Sequence, residues 1–249
     1  MSSREDWQRR LGPLYGGAVA LVTSTPWRWP TSVVDDARSP SWVVALGLPI
    51  GLCAWLIAIL VHAAGLPSTV AALCGLAMLS VASAALLERG LAERVEDWQM
   101  GSDAGARNAS VVVTLVLVFV TALRGAAIIS LPPTHWIGAF VATALGGRWA
   151  AVFLQALGDP VIPRDDGRRS LVATPAPAWL TAAISGAVAV VVIFALGKAG
   201  VLALALVAVA AFSLGLEAQR RDGGLSAPVV GTAAAVGELL VLLVATIAG

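Results

Sequence analysis

Seven apolar stretches, each close to the length of a bilayer-crossing helix, alternate with short polar segments. The charges fall almost wholly into every second segment. About 20 apolar residues suffice for one span. Hydrocarbon offers no water to complete backbone hydrogen bonds, so such runs must fold as helices. Of the 249 residues, 58 % are hydrophobic and only 12 % charged, too little polar surface for a soluble domain of this size. The expected fold is all-α: a polytopic membrane bundle of about seven transmembrane helices, preceded by an interfacial helix.

The predicted spans cover about 42–64, 67–87, 110–131, 135–157, 178–196, 201–217 and 228–248. Charged loops are expected at 88–109, 158–177 and 218–227, and a short turn at Lys198, Ala199 and Gly200. The apolar piece at 13–23 is too short to span, and Trp27, Trp29 and Pro30 after it suit a headgroup zone. Residues 1–41 thus form a cytoplasmic or interfacial N-terminal segment, and 42–249 a single transmembrane helical domain. Seven spans place the N-terminal segment and all three charged loops on one side. Arg89, Arg94, Arg107, Arg164, Arg168, Arg169, Arg220 and Arg221 gather there, which makes that side cytoplasmic by the positive-inside rule. The expected location is the inner (plasma) membrane, with the lipid bilayer as constant partner.

A net charge of +1 gives no reason to expect nucleic acid. Cys53 and Cys74 lie inside apolar runs and read as small packing residues. No nucleotide-binding loop, dinucleotide fingerprint or Ser-His-Asp arrangement is present. His62 and His135 fall near the outer span ends, where interfacial placement accounts for them.

The acidic residues beside the arginines serve no topological purpose. On a helix, Glu93 shares a face with Arg89, Glu96 and Asp97. Two adjacent carboxylates can hold Mg²⁺, which prefers oxygen ligands and bridges to phosphates. The same residues also make an ordinary salt-bridged helix extension. In Arg164-Asp165-Asp166-Gly167-Arg168-Arg169 the arginines offer forks for phosphate, or are simply positive-inside residues in a polar turn. Arg124, Arg148 and Glu238 lie within spans, where charges face the bundle interior and pair. Arg148 and Glu238 are both near mid-span and able to meet, whereas Arg124 is expected nearer the outer side. An interhelical ion pair and a ligand contact are both open readings.

The order of these clusters resembles the cobalamin synthase family, adenosylcobinamide-GDP ribazoletransferase. The matching elements run from Thr23-Ser24-Thr25-Pro26 through Pro49-Ile50-Gly51 to the stretch after the second span, Leu87 to Glu96. They continue through Gly101-Ser102-Asp103-Ala104-Gly105, Arg148-Trp149-Ala150 and Arg164-Asp165-Asp166-Gly167 to Gly223–Glu238. Within the family's acidic hallmark, Glu93 and Glu96 stand at the second and third Asp, while Arg89 takes the place of the first and Leu87 that of the His. In the last element Pro228 and Ala235 replace acids, and Glu238 is kept.

The resemblance implies a transferase of cobalamin (vitamin B12) biosynthesis. The 5′ group of α-ribazole, or its phosphate, would attack adenosylcobinamide-GDP and release GMP. It implies Glu93, Glu96 and Glu238 as catalytic residues, with Mg²⁺ held by Glu93 and Glu96, phosphate bound by Arg148, Arg164 and Arg168, and Glu238 orienting Arg148 or a ligand. Partners would be corrinoid and nucleotide-type small molecules, with other corrinoid-pathway proteins alongside. Two readings compete: a catalytically inactive paralogue serving as membrane scaffold, and a small-solute transporter. A transporter calls for polar residues at mid-membrane on broken helices, whereas the charges here are expected mainly in loops.

Overall fold

The computed structural model describes residues 4–26, 39–83, 85–100, 109–159 and 177–248. Among them the chain is almost wholly helical: α1 (Arg4–Leu11), α2 (Tyr15–Ser24), α3 (Ser39–Ala45), α4 (Gly47–Ala63), α5 (Ser68–Ala82), α6 (Leu86–Met100), α7 (Ala109–Ser130), α8 (Trp136–Leu157), α9 (Ala178–Leu196), α10 (Lys198–Asp222) and α11 (Ala227–Ala248). Six stretches are long and apolar enough to cross a membrane, and the count is seven if the bent α5–α6 pair is taken as one span. The polytopic all-α bundle is therefore the fold.

Local chemistry explains most element boundaries. Pro49 has no N–H to offer the Ala45 carbonyl four residues earlier, and α3 gives way to α4 there within one span, Pro40–Ala63. Gly223, at φ +73°, ends α10 in the left-handed conformation that glycine adopts without strain. Gly197, at φ +60°, makes the tight turn between α9 and α10. Lys198 is thus the first residue of α10 and not part of a turn, and α10 runs on past 217 to Asp222.

The largest departure from expectation lies at 67–109. The second span stops at Ala82, and the chain bends by 72° between α5 and α6. Residues 88–100, expected to belong to a charged loop, are helical as part of α6. The reason is the i, i+4 stripe Leu87, Leu91, Val95, which is buried with Val229, Val230, Ala233 and Ala234 of α11. Gly90 lies against α11 so closely that an added Cβ would come within 2.6 Å of the Gly231 Cα. α6 is thereby laid along the first half of α11 by small residues on both helices.

α8 and α11 form the axis of the bundle. Their spans are 83 % and 67 % buried, against 22–33 % for the other four of the six. Gly146, Gly147 and Ala150 of α8 face Ala234, Gly237 and Val241 of α11. The charged segments converge at one end: Leu225 N–H donates to the Asp159 carbonyl (2.9 Å), and Arg94 of α6 reaches Asp222 of α10. The opposite end is nearly uncharged. There His62 meets Trp136 edge-on, with centroids 5.8 Å apart, and Trp136 Nε1–H donates to the Leu131 carbonyl at 3.1 Å. Cys53 and Cys74 are free thiols.

Candidate functional site

Five elements meet around the bend between α5 and α6. Glu88 stands just beyond it, near the start of α6. Its Oε1 accepts from the Ser80 hydroxyl at 2.6 Å and from Arg124 of α7 at 2.9 Å. Arg124 also donates to Glu238 of α11. Glu238 lies 3.6 Å from Arg148 of α8. Arg148 in turn donates to the Ser83 hydroxyl (2.7 Å) and to the Ala144 carbonyl (3.0 Å). Two arginines and two glutamates thus alternate from helix to helix, with two serines of the bend at the margin.

Gly147, beside Arg148, permits this approach. A Cβ there would collide with the Glu238 side chain and lie 2.8 Å from the Ala234 carbonyl. The Glu238 side chain is 1 % exposed and those of Arg124 and Arg148 are 4 %, while Glu88 is 21 % exposed. The chain of charges therefore runs from a half-open edge to a sealed centre. Arg124 Nε, Arg148 Nε and Glu88 Oε2 are buried without a hydrogen-bond partner among the described residues. Buried polar atoms are normally satisfied, and guanidinium N–H groups left over in such a place are suited to phosphate oxygens.

A second cluster lies at the charged end. Arg94, 2 % exposed, is held by Asp222 (2.6 Å) and Glu217 (3.2 Å) and lies over the Trp98 ring at 5.7 Å. Trp98 Nε1–H donates to Glu217 at 3.0 Å.

The structure unites two of the expected site residues, Arg148 and Glu238. Glu93 stands apart from that pair, on α6, with its carboxylate on Arg89 at 2.8 Å. Glu96 is half-buried on the same helix and makes no ion pair with another described residue. Arg164 and Arg168 lie outside the described residues. Arg124 corrects the expectation that it sits near the outer side: its long side chain reaches both Glu88 and Glu238. Likewise, charge is not confined to loops, because the α5–α6 bend carries it into the bundle. Sequence reasoning missed Ser80, Ser83 and the pairing role of Arg94. The available signal was Ser80 and Ser83 just before, and Glu88 in the first turn of, a helix with an apolar i, i+4 stripe.

Among the described residues, the carboxylates already paired with arginine make a poor donor set for Mg²⁺. Glu88 and Glu238 share Arg124, Asp222 and Glu217 share Arg94, and Glu93 is taken up by Arg89. Among the described residues, no three His, Cys, Asp or Glu side chains converge as a metal site would require.

No curated protein and no solved structure matches this sequence. A family match does exist: residues 15–246, nearly the whole bundle with every residue of the buried network, fit the family described as cobalamin-5-phosphate synthase. The chain therefore belongs to the cobalamin-5-phosphate synthase family and to cobalamin biosynthesis.

Proposed function

We propose that this protein joins adenosylcobinamide-GDP to α-ribazole or its phosphate, releasing GMP, with its charged end and N-terminus in the cytoplasm. The observation that carries the proposal is the pair Arg124 and Arg148, buried side by side on Glu238 inside a chain of this family. Phosphoryl transfer depends on positioning and on neutralising charge that spreads over phosphate oxygens. Arg148, with Arg164 and Arg168 on the strength of the resemblance, is assigned to those oxygens, and Glu238 holds Arg148 in place.

The family's description as a cobalamin-5-phosphate synthase implies a phosphorylated product. When ribazole phosphate is the acceptor, its 5′ position is already esterified, so the attack is assigned to another ribose hydroxyl and not to the 5′ group. That oxygen forms a bond to the cobinamide-side phosphorus. The bond from this phosphorus to GMP breaks, and GMP leaves with the electron pair. The hydroxyl proton passes to a carboxylate of α6, for which Glu93 and Glu96 are the candidates.

The test is transfer by the purified full chain, with corrinoid product measured. Glu93→Gln/Glu96→Gln is expected to lower the rate about a hundredfold, the scale of general-base catalysis. Full activity in that variant would sink the assignment. One observation favours a second reading: Arg89, Pro228 and Ala235 stand at family acid positions. A chain that binds corrinoid yet forms no product is the inactive scaffold.

A further inference from the structure

We infer that arginine side chains fill the role of the divalent cation in this protein, so that the carboxylates paired with them bind no Mg²⁺ of their own. The inference rests on the proposed phosphate chemistry for its purpose, but on the ion-pair geometry for its content. In the buried network Arg124 and Arg148 contribute two positive charges, and Glu88 and Glu238 two negative ones. The four charges of the network cancel, so it holds no net negative charge to attract a metal. A divalent ion taking Glu88 and Glu238 would strip Arg124 of both carboxylates and Arg148 of its one. Two guanidinium groups would then be buried and unpaired beside the new ion, a state that is strongly destabilising.

The charged end repeats the arrangement. Arg94 sits between Asp222 and Glu217, and Arg221 lies 3.9 Å from Glu217. Here too the fixed cation occupies the gap between two carboxylates. A guanidinium can do this because it is permanently charged and forks to two oxygens at once. It differs from Mg²⁺ in leaving N–H groups directed at further oxygens. A diphosphate ester then meets the guanidinium directly, without a bridging ion.

The experiment is a Mn²⁺ titration of the detergent-solubilised full chain without substrate, followed by electron paramagnetic resonance. The wild type is expected to show no saturable site, and Mg²⁺ in place of EDTA is expected to leave its melting temperature unchanged. Arg124→Gln, which frees Glu88 and Glu238, is expected to gain a saturable Mn²⁺ site. A saturable site in the wild type overturns the inference, and so does a folded Arg124→Gln chain that gains none. The wild-type titration decides the matter even where the variant fails to fold. Because no substrate is present, a chain that transfers nothing still decides this inference, whereas the transfer assay alone decides the proposed function.

Discussion

Arg124 and Arg94 are each nearly sealed, and each lies between two carboxylates, yet their surroundings differ. The acids on Arg124 are 21 % and 1 % exposed, whereas those on Arg94 are 37 % and 28 % exposed. At the charged end, water and salt solvate the acids, so losing one leaves the other and the solvent to compensate. In the bundle there is no such reserve. The same chemistry therefore serves as a rigid core element in one place and an adjustable surface in the other. Breaking a buried pair costs far more than breaking an exposed one, because an uncompensated charge stays behind.

The sharpest way to break this comparison is Glu238→Gln. It removes the acid shared by Arg124 and Arg148 and leaves Arg148 with only Ser83 and the Ala144 carbonyl. The expected loss is about 3–5 kcal/mol, independent of salt, read as a lowered melting temperature in detergent. A variant as stable as wild type would mean that the network is wet and that its burial does not govern its energy.

The bundle itself was legible in the sequence because hydrocarbon leaves few alternatives for a long apolar run; α9 begins and ends where hydropathy puts it. The meeting of Arg148 with Glu238 was legible for a related reason, since intramembrane charges must find one another. The α5–α6 bend was not. Hydropathy reports burial in apolar surroundings without saying whether these are lipid or protein, and α6 is charged yet packed. Leu87, Leu91 and Val95 carried the signal at helical spacing, but the charges between them outweighed it in a hydropathy reading. Arg124 was misplaced because residue position gives the depth of a Cα, not the reach of a guanidinium.

Asp222→Asn sharpens the comparison from the other side. Arg94 keeps Glu217 and the Trp98 ring, so the expected cost is about 1 kcal/mol at low ionic strength and shrinks as salt is raised. Paired melting curves at low and high salt check it. A loss as large and as salt-independent as that of Glu238→Gln would make the two arginine clusters equivalent and remove the distinction drawn above.

The smallest effect belongs to Arg89, whose side chain is 61 % exposed and whose partner Glu93 is 31 % exposed four residues on. An exposed i, i+4 pair contributes about 0.3–0.5 kcal/mol, so Arg89→Ala should barely move the melting temperature. Its interest is positional. Arg89 stands where the resemblance calls for an acid, and its guanidinium occupies the Glu93 carboxylate. Releasing that carboxylate without disturbing the fold isolates one question: whether Glu93 is held in reserve or held in use. If Glu93 takes up the nucleophile's proton, freeing it changes the transfer rate and leaves stability alone. If Arg89 instead supports α6 as strongly as Arg124 supports the core, stability falls with it, and exposure has ceased to predict what an ion pair contributes in this protein.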